Sequence, residues 1–304
     1  MVHPLGAFSP VRLVKCLRII MADAIRKNFF YSENSQVTAV GLGGEGILRT
    51  TGRTAHARRV ILEAISQGLT YFDSAPAYQD SESYLGSLWK ENPSVRQIIF
   101  QASKTGKRDR KGAFSDLEKS LARLHTDYLD LWQIHDIRSM SDFAALTGPD
   151  GALEAFVEAK RAGKVRYIGV TGHHDPDILA RAVKEWPVDA VMMPVNPVEE
   201  LLGGFLTTTM AEARHKKIAV IGMKILGASH YILPKFNISA DLLIRYGLSH
   251  GITVGIVGCS APDEVQTLAR AGSSSKPISD TEKERILNVF KPYFRKLAFY
   301  RGVI

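Results

Sequence analysis

Apolar positions in this chain alternate between two spacings from about residue 38 to residue 271. Short apolar runs are each followed by a segment in which apolar side chains recur every three to four residues, as in a helix. The predicted strands are 38–42, 69–73, 98–103, 128–134, 166–170, 189–193, 218–223 and 253–258. The predicted helices are 55–67, 81–90, 114–124, 152–162, 176–185, 206–215, 240–250 and 262–271. Eight such units predict an α/β fold, a single closed (β/α)8 TIM barrel.

The two ends of the chain fall outside this repeat. Residues 28–42 predict an N-terminal β-hairpin that leads into the first strand, and residues 281–298 predict an extra C-terminal helix. We interpret residues 1–27 as an N-terminal leader and residues 28–304 as one barrel domain. A disordered leader and a true translation start at Met21 both explain the first segment, and a transit peptide is a third explanation.

The composition narrows the class of protein. The 304 residues are 45% hydrophobic and 23% charged, as in ordinary globular domains, and no apolar run reaches the ~18 residues of a membrane span. Two cysteines argue against a disulfide framework and predict a cytoplasmic protein. Half of the net charge of +8 lies in residues 1–30, so the barrel itself is only mildly basic.

Ionisable side chains stand at the ends of three successive predicted strands. Asp73 ends the second strand, with Tyr78 a few residues beyond it, while Lys104 follows the third strand and His135 follows the fourth. Neighbouring parallel strands lie about 4.8 Å apart, so the end residues of three strands span only ~10 Å. Ligands of α/β proteins bind at this edge. We therefore expect these four side chains to form one site.

Each of the four residues also has a purely structural explanation. Asp73 would cap a turn, Tyr78 would be a packed loop aromatic, Lys104 would be a surface lysine with a buried stem, and His135 would be a hydrogen-bonded core histidine. These explanations are independent of one another. They do not predict that the four residues occur at the same end of adjacent strands.

Four short segments carry a resemblance to a known family. The sequences FDSAPAY at 72–78, SKT at 103–105 and LWQIH at 131–135 resemble the catalytic motifs of the aldo-keto reductase family. The sequence GLGG at 41–44 resembles the first-strand signature of that family. The match extends from about residue 37 to about residue 271, and four motifs in the right order make it specific.

The resemblance implies an oxidoreductase that transfers a hydride from NAD(P)H to the carbonyl of an aldehyde or ketone. Asp73, Tyr78, Lys104 and His135 are then the catalytic residues, with Tyr78 as general acid. An unperturbed tyrosine has a pKa of about 10. We expect the Lys104 ammonium, oriented by Asp73, to lower the pKa of Tyr78, and His135 to orient the substrate oxygen. No side chain supplies hydride, so a nicotinamide must.

The resemblance also implies a site for NADP(H) or NAD(H). Relatives commonly have Ser-Asn after the fifth strand and Gln in the sixth, where this chain has Thr171, Gly172 and Met192. We expect Thr171 to replace the serine and Asn196 to supply an amide contact. The full set of expected cofactor contacts is Gly43, Gly44, Thr171, Gly172, Asn196, Met223, Lys224, Gly258, Ser260 and Glu264.

Two groups of the expected cofactor contacts follow the seventh and eighth strands. Met223 is expected to pack on the nicotinamide ring and Lys224 to reach the pyrophosphate, after the seventh strand. After the eighth strand, Ser260 opens a helix with a predicted capping box, and its amides are expected to bind phosphate. The acidic Asp263 and Glu264 stand where NADP-selective relatives usually carry a cation. We therefore expect weak discrimination between NADP(H) and NAD(H).

Two other motifs suggest different partners. The sequence HHD at 173–175 suggests a metal, but adjacent side chains diverge, so we predict no metal site. The basic run 104–111 suggests nucleic acid, but it lacks interleaved aromatic residues. We interpret it as a solvated loop that attracts anionic substrate or cofactor. The expected partner is a small-molecule carbonyl compound, with no nucleic acid and no membrane, and the oligomeric state is open.

Two rival functions use the same fold. The first is a lyase or aldolase in which Lys104 forms a Schiff base. A neighbouring acid argues against it, because Asp73 favours the charged amine, which is a poor nucleophile. The second is a catalytically weak nucleotide-sensing barrel, favoured by the missing carboxamide contacts. Turnover of a panel of aldehydes separates a sensor from an enzyme.

Overall fold

The structure is a computed structural model that describes residues 24–302, apart from the side chains of residues 32–34. The predicted leader therefore lies outside the described residues except for its last four positions. Among these, the Arg26 amide donates to the Gly272 carbonyl, and Ile25 packs against the core. Within residues 24–302, no helix combines the length and the apolar character that crossing a membrane requires.

An antiparallel hairpin precedes the barrel. It consists of β1 (Lys27–Phe30) and β2 (Ser32–Thr38). Phe30 is fully buried, and its ring centroid lies 4.5 Å from that of Phe100 and 5.3 Å from that of Tyr167. Phe100 begins its strand, so the hairpin closes the amino end of the barrel lumen.

Eight parallel strands form the closed barrel. Each strand pairs with its sequence neighbour, and the last strand pairs with the first. The strands are β3 (Val40–Gly46), β4 (Tyr71–Asp73), β5 (Phe100–Thr105), β6 (Leu129–Ile134), β7 (Val165–Thr171), β8 (Ala190–Pro194), β9 (Ala219–Met223) and β10 (Val254–Cys259). The predicted fold class is confirmed. Most strand bounds lie within two residues of the prediction. The first strand begins two residues later because Thr38 belongs to the hairpin, and it continues to Gly46, four residues beyond the predicted end.

Helices surround the barrel. They are α1 (Thr54–Ser66), α2 (Ser81–Glu91), α3 (Pro93–Ile98), α4 (Arg110–Leu124), α5 (Met140–Thr147), α6 (Ala152–Arg161), α7 (Pro176–Glu185), α8 (Pro197–Leu202), α9 (Met210–His215), α10 (Ala240–Leu248), α11 (Pro262–Ser273), α12 (Asp280–Phe290) and α13 (Phe294–Leu297). A π-helical turn, Phe205–Thr209, precedes α9. Short 3-10 turns occur at Ile47–Arg49, Pro234–Phe236 and Phe299–Arg301.

Several helices differ from the sequence prediction, among them α3, which was not predicted and ends at Ile98, where a strand was expected to begin. The predicted loop 136–150 contains α5, whose first turn is capped by the Ser139 side chain. The short helix α8 was not predicted. The predicted helix 281–298 is divided into α12 and α13 because Pro292 lies between them and cannot continue the hydrogen-bonding ladder.

The apolar core has three parts. The largest lies between the strands and the helices, and it includes Trp132 stacked on Phe156 with ring centroids 3.8 Å apart. A second part fills the barrel lumen, where Phe100, Ala102 and Leu131 face inward as the strand phase predicts. The third part lies under the C-terminal segment. The filled lumen leaves the carboxyl ends of the strands as the accessible face of the barrel.

Candidate active site

The ends of β4, β5 and β6 bring together the residues predicted from the strand pattern. Asp73 pairs in register with Ala102, two positions before Lys104 on the neighbouring strand. Both ionisable side chains are almost completely buried. Lys104 Nζ donates to Asp73 Oδ2 at 2.5 Å and to the Ser74 carbonyl at 2.8 Å. The predicted contact between the acid and the amine is therefore present in the structure.

Tyr78 and His135 lie above this ion pair. The Tyr78 hydroxyl is 3.4 Å from His135 Nε2, and the two rings are perpendicular. Lys104 Nζ lies 4.7 Å from the centroid of the Tyr78 ring. The Tyr78 ring also packs on Gly44, where an added Cβ would lie 2.5 Å from Tyr78 Cδ2. The structure thus brings the four residues together, and glycine at position 44 leaves room for the phenol.

Burial controls the protonation of this cluster. It raises the pKa of Tyr78 well above the ordinary value, and the charges of Asp73 and Glu45 raise it further. The net shift in the pKa of Tyr78 is therefore upward in the protein without ligand, because burial outweighs any lowering by the Lys104 charge. Burial, followed by the Lys104 charge, lowers the pKa of His135 to about 2. At neutral pH, Tyr78 is a protonated phenol and His135 is a neutral imidazole.

The ion pair itself is subject to opposing effects. Burial raises the pKa of Asp73 and lowers the pKa of Lys104. The opposite charge of the partner acts against each of these shifts. Because Nζ also donates to the Ser74 carbonyl, the ammonium is oriented by two acceptors. Removal of either charged partner would leave an unpaired charge in the interior.

A cavity of about 400 Å³ opens beside these residues at the barrel mouth. Its lining includes the predicted cofactor residues Thr171, Met223 and Lys224, together with Met192. The two methionines supply an apolar wall. The Lys224 side chain faces the cavity, and no hydrogen bond of its ammonium is present among residues 24–302. An apolar surface next to an available cation fits the nicotinamide ring and the phosphates of a dinucleotide.

Asn196 lies in a different environment from the one expected. Its side chain is fully buried and caps α8, accepting from the Glu199 amide at 3.0 Å. Its amide nitrogen donates to the Lys224 carbonyl and to the Tyr300 hydroxyl, both at 3.1 Å. A contact with a nicotinamide carboxamide would require these bonds to break. In this structure, Asn196 holds the C-terminal segment against the barrel.

The glycines among the expected cofactor contacts have packing roles. An added Cβ at Gly43 would lie 3.0 Å from the Gly258 amide nitrogen, and one at Gly258 would lie 2.7 Å from Glu45. An added Cβ at Gly172 would lie 3.2 Å from the Ile137 carbonyl. These positions keep neighbouring strand ends and loops close together. Their contacts with a cofactor stay predictions.

The amino end of α11 does not contain the expected capping box. The residue before the helix is Ala261, which has no capping side chain. Instead, the Ser260 amide donates to Glu264 Oε2 at 2.6 Å. Both residues are exposed, and Glu264 occupies an amide that was expected to bind phosphate. An acidic side chain at a helix amino terminus is stabilised by the helix dipole.

The basic segment after β5 is not a freely solvated loop. Arg108 Nε donates to Asp142 at 3.0 Å, and its other nitrogens donate to the carbonyls of His135 and Asp136. Arg110 forms an ion pair with Glu158. Arg108 thus holds the loop after β6 and Arg110 bonds to α6, so both guanidinium groups are only partly available to an anion.

One group at the cavity rim was missed in the sequence. Asp136 directly follows His135, and its carboxylate faces both His173 and His174 from the end of β7. The expectation that the two histidine side chains diverge is wrong, because their ring centroids are 4.4 Å apart with an angle of 32°. The adjacency of Asp136 to a strand end was visible in the sequence. Its approach to His173 and His174, 37 and 38 positions away, was not.

Comparison with known proteins decides the family. Residues 39–232 match the model of the Aldo/keto reductase family. The chain belongs to the aldo/keto reductase family. Members of this family are oxidoreductases that use NADP(H) or NAD(H) and act on small-molecule carbonyl substrates. The family predicted from the four segments is confirmed.

Characterised and uncharacterised relatives share parts of the sequence. The chain is 28% identical over 210 residues to the aldo-keto reductase yakc [NADP(+)] of Schizosaccharomyces pombe. The aligned region covers 64% of this chain and 59% of that protein. It is 32% identical over 149 residues to L-galactose dehydrogenase of Arabidopsis thaliana, 45% of each chain. The chain spans about half the length of the curated relatives it matches.

Solved structures agree with the barrel. The holo form of aldo-keto reductase AKR11C1 from Bacillus halodurans superposes with a TM-score of 0.69 at 22% identity, covering 92% of this chain and 98% of that one. An aldo/keto reductase from Brucella melitensis gives the same TM-score at 20% identity, with 89% and 100% covered. At these identities the likeness supports the fold alone.

Proposed function

We propose that this protein reduces the carbonyl group of a small aldehyde or ketone to an alcohol, with NADP(H) or NAD(H) as the redox partner. The observation that carries the proposal is the placement of the Tyr78 hydroxyl and His135 Nε2. These atoms lie 3.4 Å apart at the cavity, above a buried Lys104–Asp73 ion pair. A carbonyl oxygen placed between them would meet a proton donor and a hydrogen-bonding imidazole.

Tyr78 is the proposed general acid. Because its pKa is raised, the phenol keeps its proton at neutral pH, and it gives up that proton only to a strong base formed during the reaction. As the carbonyl carbon accepts a hydride, the oxygen becomes an alkoxide, which is more basic than a phenolate and takes this proton. The alcohol forms, and Tyr78 is left as a phenolate until solvent returns a proton.

His135 is the proposed orienting residue. Its low pKa leaves the imidazole neutral, so it is a hydrogen-bond donor through one nitrogen without being a strong acid. A neutral Nε2–H beside the phenol would hold the substrate oxygen in line with Tyr78. Such a donor stabilises the negative charge that develops on the oxygen.

The Lys104–Asp73 pair is proposed to stabilise the phenolate that appears during the reaction. The ammonium lies 4.7 Å from the Tyr78 ring centroid in a low-dielectric interior. A positive charge at this distance favours the ionised phenol over the neutral one. Asp73 and the Ser74 carbonyl hold the ammonium in place and keep it charged, which also makes it a poor nucleophile.

The bound nicotinamide would supply the hydride. Met192 and Met223 would contact its ring, Thr171 would lie beside it, and Lys224 would bind a phosphate. The proposed substrate is a small carbonyl compound, and the proposed location is the cytoplasm. Arginine and lysine side chains around the cavity favour a substrate or cofactor that carries negative charge.

The test is the substitution Tyr78→Phe, which removes the hydroxyl and keeps the ring against Gly44. Reduction of an activated aldehyde should fall by ~100-fold to ~10,000-fold, as is typical when a general acid is lost. Cofactor affinity, measured by fluorescence titration, should stay near that of the native protein. Tyr293→Phe is the matched control, because this phenol is 61% exposed and lies outside the cavity lining.

Comparison with Lys104→Met separates the alternatives. The losses in Tyr78→Phe and Lys104→Met should not add in the double variant, since both residues serve one proton transfer. Near-native turnover by Tyr78→Phe would rule out this phenol as the acid. If Lys104→Met abolished turnover while Tyr78→Phe kept near-native turnover, Schiff-base chemistry at Lys104 would replace the proposal. Cofactor binding without turnover of any aldehyde in the panel would indicate a sensor.

A further inference from the structure

Three hydrogen-bond acceptors converge at the rim of the cavity, and we call them the three-acceptor cluster. They are Asp136 Oδ1, His173 Nε2 and His174 Nε2. The carboxylate oxygen lies 3.3 Å from the His173 nitrogen and 3.8 Å from the His174 nitrogen. All three atoms lie within 4.8 Å of one another. Two of the three residues, Asp136 and His173, also line the cavity.

The C-terminal segment determines which nitrogen of each imidazole carries a hydrogen. His173 Nδ1 lies 2.7 Å from the Tyr300 carbonyl, and His174 Nδ1 lies 3.0 Å from the Arg301 carbonyl. A carbonyl only accepts, so each Nδ1 must be the donor in its hydrogen bond. In the neutral imidazole, Nε2 then carries a lone pair. Both lone-pair nitrogens face Asp136.

The C-terminal segment is itself firmly anchored. Arg301 forms an ion pair with the buried Glu199 and donates to the Gly203 carbonyl at 2.7 Å. The Tyr300 hydroxyl donates to Glu199 Oε1 at 2.6 Å. Two backbone carbonyls are therefore presented to the histidine rings at fixed positions. Backbone carbonyls commonly orient metal-binding histidines in this way.

Asp136 is held so that one carboxylate oxygen remains for a ligand. Its backbone has a φ of 58°, and its amide donates to Thr171 Oγ1 at 2.7 Å. Arg138 binds Oδ2 at 2.6 Å. Oδ1 is buried and has no hydrogen-bond partner among the described residues, and the same is true of His174 Nε2. Unpartnered buried polar atoms are rare in native proteins and call for a missing partner.

A single proton would not satisfy this arrangement. A hydrogen between His173 Nε2 and Asp136 Oδ1 would leave His174 Nε2 without a partner at 3.8 Å. One cation would satisfy all three atoms at once. Ligands that lie about 2.0–2.1 Å from a tetrahedral ion are spaced about 3.3 Å apart, close to the observed separation of the two nearest atoms. Imidazole nitrogen with one carboxylate oxygen is a donor set typical of transition metals.

We propose that Asp136, His173 and His174 bind a divalent transition-metal ion such as Zn²⁺. With three protein ligands, the ion keeps at least one open position. Because Asp136 and His173 line the cavity, this position faces the space next to Tyr78 and His135. An oxygen of a substrate, or a water molecule, would complete the coordination. The proposal stands independently of the proposed reduction, since it concerns binding of the metal alone.

The test is metal binding by the full-length, untagged protein after removal of metals with EDTA. We expect one equivalent of Zn²⁺ by calorimetry. We also expect one equivalent of Co²⁺ with visible d–d absorption bands, which report nitrogen and oxygen ligands directly. Asp136→Asn and His174→Ala should each weaken Co²⁺ binding by at least tenfold, and should reduce the absorption of any residual complex.

The matched control is His215→Ala, which removes an exposed histidine at the end of α9. This variant should bind Co²⁺ like the native protein. Far-ultraviolet circular dichroism should show that all variants are folded. Absence of a stoichiometric Co²⁺ complex in the native protein would overturn the proposal, and would leave a protonated imidazole as the partner of Asp136. Binding that is equally strong in folded His174→Ala would also overturn it.

Discussion

Two groups of largely buried polar side chains at the barrel mouth differ in whether their members have partners within the protein. Lys104 and Asp73 are a donor and an acceptor, so each satisfies the charge of the other without any ligand. The three-acceptor cluster of Asp136, His173 and His174 contains no donor directed at its centre. The opposite charges of the first group are paired within the protein, although Asp73 Oδ1 has no hydrogen-bond partner among the described residues, whereas our proposal completes the second group with a cation.

The comparison shows which kind of buried polar group points to a missing ligand. A buried ion pair with good geometry says little about ligands, because its partners satisfy one another. Converging buried acceptors are stronger evidence for a ligand, because a buried polar atom without a partner is unfavourable and a ligand removes that cost. Lys104 of the first group and Asp136 and His173 of the second line the same cavity as Tyr78 and His135. Variants that remove one member of each group should therefore have opposite effects on the protein without metal.

The largest effect is expected from Lys104→Met. The substitution leaves Asp73 buried without a counter-charge, and loss of one partner of a buried pair costs about 3–5 kcal/mol of the free energy of unfolding. Urea unfolding monitored by tryptophan fluorescence measures this loss. The double variant Asp73→Asn with Lys104→Met should recover most of it, because no buried charge then lacks a partner. If Lys104→Met were as stable as the native protein, the Lys104 and Asp73 side chains would be uncharged in the folded protein.

An intermediate effect is expected from Gly44→Ala. The new methyl group would lie 2.5 Å from Tyr78 Cδ2 and 2.9 Å from the Asp73 carbonyl, so the phenol must move. Overpacking of this kind costs about 1–3 kcal/mol. The free energy of unfolding in urea and the rate of aldehyde reduction should both decrease. Gly172→Ala is the matched substitution on the opposite side of the mouth, where the nearest atom is 3.2 Å away. If Gly172→Ala were the more harmful of the two, the close packing of Tyr78 on Gly44 would be refuted.

The smallest effect, and the one of opposite sign, is expected from Asp136→Asn. In EDTA, the amide nitrogen of asparagine can donate to an imidazole Nε2 and so replace a contact between two acceptors. Asparagine also tolerates the φ of 58° at this position. The lost ion pair with Arg138 is worth little, because that side chain is 60% exposed.

We therefore expect Asp136→Asn to gain about 0.5–1 kcal/mol in metal-free urea unfolding, the size of one net hydrogen bond. With added Zn²⁺, the native protein should instead have the larger free energy of unfolding, because it keeps the carboxylate ligand. Asp136→Ala is the control, since it removes the carboxylate without adding a donor. A loss of stability in EDTA that Asp136→Ala shares would show that a proton already joins Asp136 to a histidine.

Much of the barrel and the first group were predictable from the order of residues. Strand side chains alternate between two faces, so the position of Lys104 relative to Phe100 and Ala102 determined that its side chain faces the lumen. The same argument applies to His135. Asp73 and Lys104 lie on neighbouring strands, and the regular spacing of a sheet placed them in contact.

Loop positions were less predictable. Asn196 was expected at the cofactor, but it caps α8 and binds Tyr300, a residue more than 100 positions away. The helix α5 arises in a segment that had been expected to be a loop. No local period describes such segments, because tertiary contacts rather than alternation of apolar residues decide their conformation.

The sequence by itself determined the eight-unit barrel, the family and the set of groups at three strand ends. It did so because period and register act locally and repeat along the chain. Only the tertiary structure decided that burial raises the pKa of Tyr78, and that His173 and His174 converge on Asp136. The first depends on the burial of Tyr78 beside Asp73 and Glu45. The second depends on contacts between the end of β6, the end of β7 and the carbonyls of Tyr300 and Arg301.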